Sequence, residues 1–228
     1  MSISLFIPVR KGSERIPNKN TRNFGGIKGG LLEFKLKNLI GFENVDEIVI
    51  SSNDEKCLEI AASYTTRISN LKLIERPDDL GDSQTKLSDL IRYAGEICGG
   101  DHVLWTHVTA PFFTAENYRE AIKKYTEVKL KGFDSLITGN EFQEYLMNPD
   151  TGKLINNHSP EQWPRTQDLQ KLFQINNAVF LAERVKYKEG KRTGDKPFYM
   201  PVSKLTSLDV DWEEDFKIAE VIYEGIYK

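Results

Sequence analysis

Cysteine is nearly absent from these 228 residues: Cys57 and Cys98 stand far apart, and no Cys-x-x-Cys occurs. That excludes a disulfide framework or a cysteine-built zinc site and leaves two buried structural thiols as the expectation. No apolar run approaches the roughly 20 residues needed to cross a bilayer, so no membrane partner is expected. The opening Met1-Ser2-Ile3-Ser4 puts no positive charge ahead of its apolar run, which argues against a secretory leader and makes the cytoplasm the default location. Surplus positive charge is missing too. Lys and Arg number 31 against 34 Asp and Glu, a net charge of −3, the wrong sign for coating nucleic acid. There is no Gly-x-x-x-x-Gly-Lys-Ser/Thr loop, no internal repeat and no low-complexity stretch.

What is present describes a globular protein, with 39% hydrophobic and 29% charged residues. The length suits one α/β domain over residues 1–228, with room for an insertion. Short apolar runs alternate with amphipathic stretches. Strands are predicted at Leu5–Val9, Glu47–Ser51, Leu71–Ile74, His102–His107, Ser135–Thr138 and Ile175–Leu181. Helices are predicted at Leu31–Ile40, from Asp54 as cap to about Ser63, at Lys86–Ile97 behind Ser83 or Thr85, from Thr114 to about Lys129, and at Glu213–Tyr227. The βαβα rhythm implies a doubly wound, mostly parallel, Rossmann-like sheet with ligands beyond the carboxyl ends of its strands. Between residues 140 and 172 the pattern breaks; Asp150-Thr151-Gly152-Lys153 reads as a turn between two short arms. Lys186–Lys196 reads as a mobile, basic connection.

Two segments carry chemistry on their own residues. The first strand stops at Val9 and runs into Arg10-Lys11-Gly12-Ser13-Glu14-Arg15-Ile16-Pro17-Asn18-Lys19-Asn20. Exposed backbone N–H groups and the charges of Arg10, Lys11, Arg15 and Lys19 suit such a loop to a triphosphate. The second is Ser207-Leu208-Asp209-Val210-Asp211 before the last helix. Carboxylates two residues apart in extended chain point to one side, an arrangement suited to Mg²⁺ bridging to phosphates.

The ordered Pro8, Arg10, Gly12, Ser13, Ile16, Pro17, Lys19 and Asn20 resemble the opening motif of the acylneuraminate cytidylyltransferase family, with Glu14 where that family usually has lysine. The resemblance runs along the whole chain. It implies that the enzyme transfers CMP from CTP to the anomeric hydroxyl of an acidic 2-keto sugar, with release of pyrophosphate. It further implies Mg²⁺ on Asp209 and Asp211, and catalytic roles for Arg10, Lys19 and Asp211. Gly12, Ser13 and Asn20 join Arg10 and Lys19 on the nucleotide. In Glu75-Arg76-Pro77-Asp78-Asp79-Leu80-Gly81-Asp82-Ser83, Arg76 is implied to donate to the cytosine carbonyl, with Asp82 and Ser83 near the base edge or capping a helix.

In Trp105-Thr106-His107-Val108-Thr109-Ala110-Pro111-Phe112-Phe113, Thr109 and Pro111 match, while His107 replaces a glutamine that touches the acceptor and Phe113 replaces an arginine. Arg165 is implied at the sugar carboxylate or at a subunit boundary, since a guanidinium suits carboxylates. Asn176 is implied at the substrate, and Asn177 stands where the family has glycine. The excursion at residues 140–172 is implied to be hairpin-like and to build a homodimer. Three other readings stay open: a cytidylyltransferase for an octulosonate, another nonulosonate or a phosphonate; a metal-dependent glycosyltransferase; and a non-catalytic nucleotide-binding protein.

Overall fold

The structure, a computed structural model, describes residues 1–82 and 84–227. Seven consecutive buried residues form β1 (Ile3–Val9), and six form β2 (Glu47–Ser52). Burial on both faces is what the centre of a parallel sheet requires, and β1 does pair in parallel with β2 and with β4 (His102–Trp105). β3 (Leu71–Glu75) extends the sheet on the far side of β2. The crossovers are α1 (Gly30–Asn38), α2 (Glu55–Ala62) and α3 (Leu87–Ile97).

Local chemistry explains two of the helix starts. Asp54 accepts from the Lys56 N–H at 3.1 Å and caps α2. The Asn117 side chain accepts from the Thr114 N–H at 3.0 Å at the start of α4 (Ala115–Lys129). α3 differs from expectation at Thr85: among the described residues no side chain caps the helix, and the Thr85 hydroxyl instead donates to Asp79 O at 2.7 Å. Ser83, the other expected cap and a residue expected near the base edge, lies outside the described residues.

The second half departs from the parallel rhythm. β5 (Ser135–Phe142) is longer than expected, and β8 (Leu172–Glu183) runs antiparallel between it and β4. Between them the chain leaves the sheet as the hairpin β6 (Met147–Asn148) and β7 (Lys153–Leu154), turned where Asn148 Oδ1 accepts from the Asp150 N–H at 2.9 Å. Lys186–Lys196, expected as an irregular connection, begins inside α5 (Arg184–Lys188), and Arg192 lies 3.8 Å over the Phe180 ring. β9 (Pro197–Pro201), unseen in the sequence, pairs in parallel with β5 at the sheet edge, where its prolines are tolerated. The sheet order is β3-β2-β1-β4-β8-β5-β9, and α6 (Glu213–Ile226) closes the chain.

Candidate active site

The loop after β1 is held from within. Ile16 is fully buried, Lys19 N–H donates to Ile16 O at 3.2 Å, and the Asn20 side chain donates to Arg10 O at 3.3 Å. Gly12 has φ of +69°, a conformation that costs glycine little. The Lys11 N–H donates to Asn53 Oδ1 at 2.9 Å, tying the loop to the chain after β2. Together these place a cavity of about 300 Å³ over the carboxyl ends of β1 and β4, lined by Arg10, Gly12, Ser13, Glu14, Arg15, Lys19, Asn20, Arg76, His107 and Thr109 among others.

Two groups in this cavity are unusual. Arg76 is 3% exposed, and its Nε and one Nη have no hydrogen-bond partner among the described residues. Burial, with Arg10 nearby, brings its pKa down to about 10 although Tyr93 opposes the change. A buried guanidinium with unmet donors is suited to an acceptor supplied by a ligand. His107 is held from behind: Trp105 Nε1 donates to His107 Nε2 at 2.7 Å. Indole can only donate, so the neutral ring carries its proton on Nδ1. Protein surrounds the ring on most sides and lowers its pKa to about 3, with Arg192, Lys19 and Lys35 adding to the effect; one edge still reaches the cavity.

A second cavity, about 540 Å³, is lined by Asn140, Gln174, Asn176, Asn177, Lys204, Ser207, Asp209, Asp211, Trp212 and Asp215 among others. Lys19, which lines the first cavity, touches Asp211, which lines the second. Its ammonium donates to Val210 O at 2.7 Å and lies 3.5 Å from Asp211 Oδ1. Burial lowers its pKa, and Asp211 and Asp209 only partly offset that. Arg15 reaches the same Asp211 oxygen at 2.7 Å. The carboxylate segment is fixed by its backbone: Val210 N–H donates to Thr109 O at 2.8 Å, and Asp215 Oδ2 accepts from the N–H groups of Asp211 at 3.0 Å and Trp212 at 2.7 Å.

Residues 5–198 match the protein-family model described as Cytidylyltransferase. The chain belongs to that family. Among curated relatives it is 25% identical to pseudaminic acid cytidylyltransferase of Campylobacter jejuni, over 96% of this chain and 94% of the relative. It is also 25% identical to CMP-N,N'-diacetyllegionaminic acid synthase of Legionella pneumophila, over 98% of this chain and 97% of that one. With N-acylneuraminate cytidylyltransferase A of Danio rerio it shares 22% identity over 96% of this chain but only 50% of the relative.

The fold is also that of a CMP:2-keto-3-deoxy-manno-octonic acid synthetase solved with CTP, at a TM-score of 0.69 and 10% identity over 99% of each chain. Against 4-diphosphocytidyl-2C-methyl-D-erythritol synthase from Anaerococcus prevotii the TM-score is 0.63 and identity 13%, over 98% and 96% of the two chains.

In this cytidylyltransferase the expected nucleotide residues Arg10, Gly12, Ser13, Lys19, Asn20 and Arg76 share one cavity. His107 and Thr109, expected at the acceptor, line that same cavity, while Asn176, Asp209 and Asp211 line the second. Asp82 lines neither, and its carboxylate accepts from the Gln84 N–H at 2.8 Å. Arg165 is not brought to either cavity: it pairs with Asp168 at 2.7 Å, with a side chain 72% exposed.

The carboxylate pair fits a divalent cation. Asp209 Oδ1 is buried with no hydrogen-bond partner. Burial pushes its carboxyl pKa up, against the opposing pull of Thr109 and Asn177. Among the described residues no cluster of three or more His, Cys, Asp or Glu forms a metal centre, so the protein offers two carboxylates. Mg²⁺ is commonly held in that way, by one or two carboxylates plus phosphates and water.

Three residues here lay outside the expected site. Asp215 had a signal, an acid three residues into a helix. Asn177 was visible only as an asparagine in place of glycine. Lys35 is fully buried and donates to Ala110 O at 2.7 Å, Phe113 O at 3.0 Å and Tyr118 Oη at 3.0 Å, so it anchors the loop that carries His107 and Thr109. Its position among Leu31, Leu32, Phe34 and Leu36 on one amphipathic stretch was the available clue.

Proposed function

We propose that this chain transfers CMP from CTP to the anomeric hydroxyl of an acidic nine-carbon 2-keto sugar, releasing pyrophosphate. The observation that carries the reading is the contact of Lys19 with Asp211, which joins a basic loop cavity to a carboxylate-lined one. Nucleotide phosphates fit the first cavity through Arg10, Lys19, Asn20 and the loop around Gly12 and Ser13. The base lies toward Arg76, whose unmet donors suit a carbonyl oxygen, with Asp82 and Ser83 nearby in the chain. The acceptor fits the second cavity, where the Asn176 Nδ2 group is buried without a partner among the described residues.

The acceptor oxygen bonds to the α-phosphorus while the bond to the leaving pyrophosphate breaks, and the hydroxyl proton passes to water. Positioning and charge neutralisation carry such a reaction without a covalent intermediate. Arg10 and Lys19 neutralise charge on the phosphates. His107 and Thr109 donate at the junction of nucleotide and acceptor. Asp209 and Asp211 hold Mg²⁺, which supplies further charge neutralisation at the phosphates when bound.

The acceptor class rests on the relatives, which are named for pseudaminic, legionaminic and N-acylneuraminic acids. We infer a homodimer as well. The excursion exposes Tyr145, Leu146, Met147, Ile155 and Trp163, at 38 to 60% of their surfaces, more apolar area than a lone hairpin usually shows to water. Arg165, on the same excursion, would exchange its Asp168 partner for a sugar carboxylate across a subunit boundary. No helix among the described residues is long and apolar enough to cross a membrane. The reading places the enzyme with its CTP in the cytoplasm, without a nucleic-acid partner.

The test is pyrophosphate release from CTP with Mg²⁺ against nonulosonates, octulosonates and phosphonates, with ATP, GTP and UTP as controls. Release should need CTP and a nonulosonate and should fail in Asp211→Ala. A phosphonate or octulosonate as the sole productive acceptor would redirect the substrate; no release with any acceptor would overturn the activity. Light scattering on the wild type and on Trp163→Ser checks the dimer.

A further inference from the structure

Asn177 sits where the register of β5 and β8 slips: Ile137 faces Phe180, but Gly139 already faces Ile175. Its φ of 54° is left-handed, a conformation asparagine and glycine adopt far more readily than other residues. From there its Nδ2 donates to Asp209 Oδ2 at 2.6 Å, across 32 positions of sequence. The other oxygen, Asp209 Oδ1, is buried with no hydrogen-bond partner among the described residues.

The preceding residue faces a different task. Asn176 Oδ1 accepts from the Thr138 hydroxyl at 2.8 Å and the Ala178 N–H at 3.2 Å, which leaves its Nδ2 unpartnered. Two adjacent asparagines are thus locked with their amides on different partners. An amide also orients a carboxylate without cancelling its charge, which a lysine or arginine at the same place would do.

We propose that Asn177 is a positioning residue for the divalent cation. It ties down one oxygen of Asp209 so that Oδ1 alone is presented. This rests on the reading of Asp209 and Asp211 as the cation's ligands. Hydrogen bonds that orient a metal ligand commonly affect metal affinity by 10- to 100-fold when removed. Glycine at position 177 keeps the left-handed backbone and removes only the amide, which makes Asn177→Gly the informative variant.

Mn²⁺ binding followed by electron paramagnetic resonance, with CTP present, reads the cation directly. Asn177→Gly should weaken it about tenfold or more. CTP binding in chelator and the thermal midpoint, to within a few degrees, should stay close to wild type. Unchanged Mn²⁺ affinity would overturn the proposal. So would a raised acceptor KM with Mn²⁺ binding intact, which would make Asn177 an acceptor contact. If the wild type binds no Mn²⁺ and turns over CTP without divalent cations, the ligand reading of Asp209 and Asp211 falls and the proposal falls with it.

Discussion

The Arg15 guanidinium lies 2.7 Å from Asp211 Oδ1 and 5.0 Å over the ring of Trp212. Asp211 therefore has a competitor for any cation. Both side chains are well exposed, 46% and 39%, so the pair is worth less than about 1 kcal/mol. Arg15→Gln should tighten Mn²⁺ binding to the nucleotide-free protein, by up to about fivefold on that energy scale. It should also raise the KM for CTP if Arg15 moves to the phosphates. Titration of Mn²⁺ without nucleotide checks the first point, and weaker binding in the variant would refute it.

Arg76 combines burial with unmet donors, which costs stability in the free protein. Arg76→Met should raise the unfolding free energy by about 1 kcal/mol. The same change should weaken CTP binding by about 10- to 100-fold, the loss of 1.5–3 kcal/mol expected for a hydrogen bond to a charged group. Chemical denaturation and calorimetric CTP titration measure the two separately. A variant both less stable and unaltered in CTP binding would place Arg76 in a purely structural role.

His107 is neutral in the folded protein above a pH of about 3, while its ordinary pKa is 6.5. Its lowered pKa contributes stability that is complete above 6.5 and is lost as pH falls toward 3. The loss is at most about 1.4 kcal/mol per pH unit, less to the extent that the cavity edge admits water. His107→Gln offers Trp105 an acceptor without titrating, so its acid limb should be shallower than that of the wild type. Its rate profile should show no missing step near neutrality. A step near pH 6.5 present only in the wild type would contradict a permanently neutral ring.

Lys35 is fully buried among carbonyls and Tyr118, with its pKa brought from 10.5 down to about 7 by burial. The unfolded chain binds more protons than the folded one between those values, so stability should rise with pH across that window. The slope is about 1.4 kcal/mol per pH unit at most. Lys35→Met should flatten it, and should also lower kcat because the loop bearing His107 and Thr109 loses its anchor. Denaturation at a series of pH values from neutral to alkaline decides, and an unchanged slope in the variant would refute the assignment.

Much of the first half of the fold was legible in the chain. β1 and β2 are continuous apolar runs, the capping residues Asp54 and Thr114 stand where α2 and α4 begin, and the basic loop follows β1 directly. Local patterns suffice there because each signal and its consequence lie within a few residues. β8 was found as a strand but not as an antiparallel one, since direction depends on partners about 40 and 80 residues away. β9 was hidden by its prolines, which only an edge position tolerates.

Residue types and their order determined the α/β class, the basic loop after β1 and the acidic pair at Asp209 and Asp211, because composition and short spacing decide those. Tertiary structure alone decided three further things: that Lys19 joins two cavities, that Lys35 is buried, and that Asn177 binds Asp209. Each depends on segments distant in sequence meeting at the carboxyl ends of the strands, and no local pattern records which side chains arrive there together.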